Sequence, residues 1–194
     1  KNGESLMGTL NLSDTTQVKY APLLLQKQFD GIFDTDGSFY FNKQLHKIVY
    51  VYLYRNQYIV SNPDLTLDYR GNTIDTISRA QIKLAKLKNS TMKTFSKPPL
   101  IVNKLMAVEG NLLYVNSALP GLYESEDIWK KASIIDVYDL TNHTYRSSFP
   151  IYHIGEKKLR SMYVSDNILY ALIGQKIVGY KLREHLKQSS PVSN

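Results

Sequence analysis

The chain has no cysteine, a single tryptophan, and no apolar run near the ~20 residues that a membrane-spanning helix needs. Without cysteine there is no disulfide framework, no thiolate metal site and no cysteine nucleophile. The start of the chain has no basic region followed by an apolar one, as an export signal would. It begins at Lys1, and the expectation is a processed mature chain or a fragment with any signal lying upstream. Neither G-x-x-x-x-G-K-[ST] nor G-x-G-x-x-G occurs, and Gly3-Glu4-Ser5-Leu6-Met7-Gly8 misses the G-x-S-x-G nucleophile turn by one residue. His46, His143, His153 and His185 never come close enough in sequence to suggest a zinc site. Asp34-Thr35-Asp36-Gly37 resembles the start of a calcium loop but lacks the later Glu, and it reads as a hairpin turn. No cofactor and no metal are expected.

What the chain does have is tyrosine. Among 194 residues, 43% hydrophobic, there are 15 Tyr against 6 Phe, and tyrosine suits half-buried strands in which the ring packs while the hydroxyl stays wet. The formal charge of +7 comes from spread-out Lys and Arg, with clusters at Lys83, Lys86, Lys88, Lys93 and Lys97 and at Lys181, Arg183 and Lys187. Such a balance permits anionic partners, but lysines alternating along strands read first as a solvated face or an edge guard. No aromatic-basic motif of a nucleic-acid module accompanies them, so nucleic acid is not an expected partner. Asn89-Ser90-Thr91 and Asn142-His143-Thr144 are formal glycosylation sequons that read as turns.

An internal repeat organises the chain. Gly110-Asn111-Leu112-Leu113-Tyr114-Val115 aligns with Asp166-Asn167-Ile168-Leu169-Tyr170-Ala171 at an offset of 56. Ile134-Ile135-Asp136-Val137-Tyr138-Asp139-Leu140 aligns with Lys176-Ile177-Val178-Gly179-Tyr180-Lys181-Leu182 at an offset of 42. The first unit therefore carries a loop of 14 extra residues, within Ser117 to Lys131. A fainter copy runs through Asp36-Gly37-Ser38-Phe39-Tyr40-Phe41, Lys47 to Tyr52 and Gln57 to Val60, ending at the turn Asn62-Pro63-Asp64. With a last strand such as Thr144 to Tyr152, each unit reads as four antiparallel strands, the signature of a β-propeller blade. The alternative is a β-sandwich of irregular hairpins. Thr76 to Ser90 mixes helical and alternating spacing and is read as strand.

The expected fold is thus all-β, with about three four-stranded antiparallel blades that form part of a larger propeller. Residues 1–28 are read as an N-terminal segment or an outer strand of a preceding blade, 29–182 as the blades and 183–194 as a polar tail. The last unit has only three convincing strands, and Ser5 to Leu12 is a candidate for its missing outer strand.

Three stretches, Tyr50 to Val60, Tyr69 to Thr76 and Trp129 to Leu140, resemble the C-terminal half of an exported six-bladed β-propeller family of Gram-negative bacteria, most of whose members have no assigned function. The resemblance spans roughly Phe29 to Leu182 and implies a cell-envelope location, periplasmic or outer-membrane associated, and a propeller about twice this length. It implies no site residues.

The most distinctive local feature is the inserted loop Leu119 to Lys131, which holds the only Trp and three acidic residues. Tyr123, Glu124, Glu126, Asp127 and Trp129 are the candidate partner-binding residues, because aromatic and acidic side chains on a projecting loop can anchor a protein or stack on a sugar. The competing reading has Tyr123, Ile128 and Trp129 packing the loop onto its own unit. No catalytic residues are assigned. The expected function is a non-enzymatic binding or scaffold propeller that joins a protein partner, the remaining half of the propeller, or a glycan. The alternative is a glycan hydrolase or lyase recruiting paired carboxylates from Glu109, Asp136, Asp139 and Asp166.

Overall fold

The computed structural model describes residues 4–12, 17–86, 93–121 and 124–182. In chain order the elements are β1 (Met7–Asn11), β2 (Gln17–Ala21), β3 (Gly37–Asn42), β4 (Lys47–Tyr52), β5 (Gln57–Ser61), β6 (Leu67–Asn72), β7 (Leu84–Lys86) and β8 (Lys93–Phe95). Then follow β9 (Asn103–Glu109), β10 (Leu112–Ser117), α1 (Glu126–Lys131), β11 (Ala132–Asp139), β12 (Thr144–Tyr152), β13 (Leu159–Ser165), β14 (Ile168–Ile173) and β15 (Lys176–Lys181).

The protein is all-β and every strand pairing is antiparallel. Among the described residues three sheets follow chain order, β3-β4-β5-β6, β9-β10-β11-β12 and β13-β14-β15, and two hairpins, β1-β2 and β7-β8, form sheets of their own. Tight turns close the sheets. At the β13-β14 turn, Asp166 and Asn167 take φ of 53° and 61°, the left-handed pair that matches the natural twist of a two-residue hairpin. Glu109 of the preceding sheet accepts the Asp166 N–H at 2.5 Å and so fixes that turn from outside.

The sheets stack face to face, which explains why the inner strands are apolar on both sides. β10, Leu112 to Ser117, is buried along its whole length, as expected of a strand covered above and below. Val49, Val51, Tyr58 and Val60 of the first sheet meet Met106, Leu113, Val115 and Tyr138 of the second. On its other face the second sheet sets Ala107, Leu112, Tyr114, Ile135 and Val137 against Met162, Val164, Leu169, Ala171 and Ile173 of the third. Leu24, Leu25 and Leu65 cover Tyr50, Tyr52 and Ile59 on the far face of the first sheet, with Met7 and Ala21 of the β1-β2 hairpin packed alongside. The first strands of the first and third sheets, β3 and β13, both lie against β9.

The repeat is visible strand for strand. β9 and β13 begin at Asn103 and Leu159, and β10 and β14 at Leu112 and Ile168, each pair 56 residues apart. The final strand read at Thr144 to Tyr152 is β12. Four local expectations differ from what is observed. Ser5 to Leu12 does not complete the last sheet, because β1 pairs with β2 through Met7–Ala21 to Asn11–Gln17. Within Thr76 to Ser90 only Leu84–Lys86 forms a strand, paired with β8; residues 87–90 lie outside the described residues. Asp34 to Gly37 is not a hairpin turn, since the strands on either side of it, β2 and β3, do not pair. The inserted loop contains a helix, α1, where the Ser125 side chain accepts the Asp127 N–H and Glu126 and Asp127 precede Lys130 and Lys131, an order that suits the helix dipole. Residues 183–194 lie outside the described residues.

Candidate functional site

The inserted loop leads from β10 into α1, and α1 runs directly into β11, so the loop is anchored to the middle sheet at both ends. Between α1 and strands β11 and β12 of that sheet lies a groove of ≈ 420 Å³, lined by Glu124, Ile128, Trp129, Ile134, Phe149 and Pro150 together with Ser125 and Ser148. Trp129 is half-buried. Its indole N–H donates to Glu124 Oε2 at 2.7 Å, and Glu124 also accepts the Gly121 N–H at 2.9 Å. One carboxylate therefore ties the indole to the backbone of the loop and leaves the ring as an apolar wall.

Of the five candidate residues, the structure brings Glu124 and Trp129 together in the groove. Glu126 and Asp127 do not line it; each sits 3.6 Å from Lys130 in an exposed helix-surface ion pair of little energetic weight. Tyr123 lies outside the described residues. Ile128 is exposed, so the loop does not bury all of its apolar side chains on its own sheet. Sequence reading missed Ile134, Phe149 and Pro150, which face the groove from β11 and β12. Their only signal is the pairing of Ile134 with Pro150, a matter of register that local patterning does not carry.

Asp136 lies on the same face of β11 as Ile134, two residues on, and is buried. Burial pushes its carboxyl up from the ordinary 3.8 to about 6; the Ser148 hydroxyl, which donates to Oδ1, opposes this, and the negative charges of Glu124 and Asp75 add to it. Tyr145 continues the chain through its hydroxyl, 2.9 Å from Ser148 Oγ. Because the folded state holds the proton more tightly than the unfolded chain, the unfolded chain loses it first as pH rises. Stability therefore falls between pH 4 and somewhat above 6, by about 3 kcal/mol. Asp136→Asn is expected to flatten that slope and to raise stability at pH 7, as measured by urea unfolding at pH 4, 5, 6 and 7. Equal slopes for the variant and the wild type would assign the pH dependence elsewhere.

The other acidic residues considered for catalysis have structural roles. Glu109 holds the Asp166–Asn167 turn, and Asp139 holds the β11-β12 turn by accepting the N–H groups of Thr141 at 2.9 Å and Asn142 at 3.0 Å. Asp34, the first residue of the calcium-like stretch, accepts backbone N–H groups from Gln28, Phe29 and Gly31 at 2.5 to 2.7 Å. Burial works against ionisation there, and those three bonds together with a hydrogen bond to the Asp30 side chain outweigh it to hold the carboxyl below its usual range. Among the described residues no helix is long and apolar enough to cross a membrane. No protein-family model matches the chain, and no curated protein matches it.

Proposed function

We propose that the protein is a non-enzymatic binding or scaffold unit, an arc of β-propeller blades at a bacterial cell envelope that is completed by further sheets and uses the Trp129 groove to hold a protein partner. One comparison within the chain carries this reading. Tyr114 and Ile135 of the middle sheet are 1% and 0% exposed beneath the third sheet, whereas their repeat equivalents in the third sheet, Tyr170 and Ile177, are 40% and 75% exposed. Tyr163 is exposed on the same outward face. A face that keeps the residue types of a buried interface and stands exposed is suited to receiving another sheet or a partner.

The order of the strands within the three sheets, and the way β3 and β13 flank β9, suit blades arranged around an axis. The envelope location rests on the sequence resemblance. The groove adds a preorganised aromatic, since the Glu124 bond holds the Trp129 ring in place before any partner arrives. The alternative, a glycan hydrolase or lyase, has one observation in its favour: the carboxyl of Asp136 is raised to about 6, and its hydrogen-bond partner Ser148 lines the groove.

Native mass spectrometry of the protein purified from its own cells tests the proposal. The expected result is a species well above 22.2 kDa. Ile177→Glu should dissociate the additional sheets, and Trp129→Ala should weaken retention of the partner by about tenfold, with circular dichroism unchanged in both. A well-folded species of 22.2 kDa alone, at every concentration, overturns the proposal.

A further inference from the structure

The β1-β2 hairpin has two unlike faces. Met7 pairs with Ala21, and both pack against the cluster that holds Tyr50, Tyr52 and Ile59 of the first sheet. Because side chains alternate along a strand, Gly8, Leu10, Val18 and Tyr20 share the opposite face, where Gly8 pairs with Tyr20 and Leu10 with Val18. Leu10, Val18 and Tyr20 are each more than half exposed, and no charged residue of either strand lies among them. The Tyr20 ring reaches over Gly8, with Cδ1 3.0 Å and Cε1 3.3 Å from where a Cβ would stand, so a side chain there would crowd it.

The third sheet has a face of the same character. Tyr163 of β13 stands opposite Tyr170 of β14, and Tyr170 opposite Gly179 of β15, so these three share one face with Ile177, two residues before Gly179. The other face of that sheet, with Met162, Val164, Leu169, Ala171 and Ile173, is the one packed on the middle sheet. The order of packing is therefore hairpin, first sheet, middle sheet, third sheet. The face with Leu10, Val18 and Tyr20 begins that order, and the face with Tyr163, Tyr170 and Ile177 ends it.

We infer, on the basis of the arc proposed above, that the outer face of the third sheet docks on the outer face of the β1-β2 hairpin of a second copy of this chain, and that two copies exchange this contact to close a ring. A second copy brings both faces in equal number, so neither is left open. Both are apolar and carry tyrosine, the type of surface that the chain already buries between its own sheets. Contact between two different surfaces runs on into a polymer unless a rotation closes it, and sheets set around an axis supply that rotation. Two copies bring three sheets each, six in all besides the hairpins, within the ~4–8 blades that propellers use; three copies would bring nine. A closed pair makes the contact twice, and each contact raises the effective concentration for the other.

The test is light scattering on the purified chain by itself, which is expected to give twice 22.2 kDa at about 10–100 μM protein. Val18→Glu and Ile177→Glu each put a carboxylate into the contact from one side, and each should weaken pairing about a hundredfold. Both positions are exposed, so circular dichroism should not change. The absence of cysteine lets the sense of the contact be read by cross-linking. Tyr20→Cys and Ile177→Cys chains, when mixed, should be joined by a short bismaleimide into a species of two copies, and neither should be joined when alone. Joining of Ile177→Cys to itself overturns the inference, as does a ladder of open polymers or a species of 22.2 kDa at every concentration. A single chain in pure form beside a heavier species from its own cells would leave the arc standing and remove only the second copy; single chains in both would remove the arc as well.

Discussion

Asp139→Ala is expected to lose about 3–5 kcal/mol of folding stability, because it removes a buried carboxylate that accepts several hydrogen bonds and leaves their donors unpaired. Asp139 is 1% exposed at the end of β11. Its Oδ1 accepts the N–H groups of Thr141 and Asn142, and its Oδ2 accepts from Asn111 at 2.9 Å and from Arg146 at 3.2 Å. Alanine removes all of these acceptors at once. Two backbone donors in a tight turn then lose their bonds, and Arg146 is left without its anion. The Asn111 side chain, which ties the β9-β10 turn to the β11-β12 turn, is released as well. Asp139→Asn separates charge from geometry: it keeps an oxygen for the turn N–H groups and loses the ion pair, so about half the loss is expected. Urea unfolding at pH 7 checks both, through the midpoint at constant slope. A loss below about 1 kcal/mol for alanine would mean that the turn holds without the carboxylate.

Gly71→Ala is expected to cost about 2–3 kcal/mol or more, although it adds a single methyl group. Gly71 lies in β6 directly opposite Tyr58 of β5. A Cβ built there would stand 2.1 Å from Tyr58 Cζ and 2.3 Å from its hydroxyl oxygen, well inside van der Waals contact. Tyr58 cannot simply swing away. It is buried between the first and second sheets, against Tyr69 and Tyr138 with ring centroids 6.1 Å from each. Either β6 shifts away from β5 or the aromatic cluster repacks, and both disturb the interface that joins the two sheets. A double-mutant cycle isolates the clash. In a Tyr58→Leu background, which itself costs stability, Gly71→Ala should cost less than about 1 kcal/mol, because the ring it strikes has gone. Equal costs in both backgrounds would place the effect in strand propensity instead of in this contact.

The strand content was legible because it is locally encoded. Tyr, Val and Ile in runs of five or six, bounded by Gly, Asn and Asp, require little context to be read as strands, and the offset of 56 between β10 and β14 is a property of the sequence itself. Hairpin order follows from short connections. The last unit was read with three convincing strands, and among the described residues its sheet has three. The helix α1 was less legible, since six residues inside a polar loop give too little periodicity to stand out. Its Ser125 cap and the order of acids before lysines were the available signals.

The candidate sites divide in the same way. Trp129 and Glu124 drew notice because tryptophan and clustered acids are rare in this chain, but their mutual hydrogen bond depends on a turn at Gly121 and on where α1 begins. Glu126 and Asp127 have the same composition and point elsewhere. The outer face of the β1-β2 hairpin drew no notice at all. Leu10, Val18 and Tyr20 read as scattered apolar residues, and they form one face only because β1 and β2 pair in the register that sets Leu10 opposite Val18 and Gly8 opposite Tyr20.

From its sequence alone the chain is determined to be antiparallel β, repeated, free of cysteine chemistry and rich in tyrosine placed for strands. Which of those tyrosines lie in a core is a tertiary matter. Tyr114 and Tyr170 occupy the same place in the same repeated motif, yet one is enclosed and the other open. A strand's own pattern dictates which face each side chain takes, whereas burial depends on whether another sheet, supplied by distant residues, comes to rest on that face.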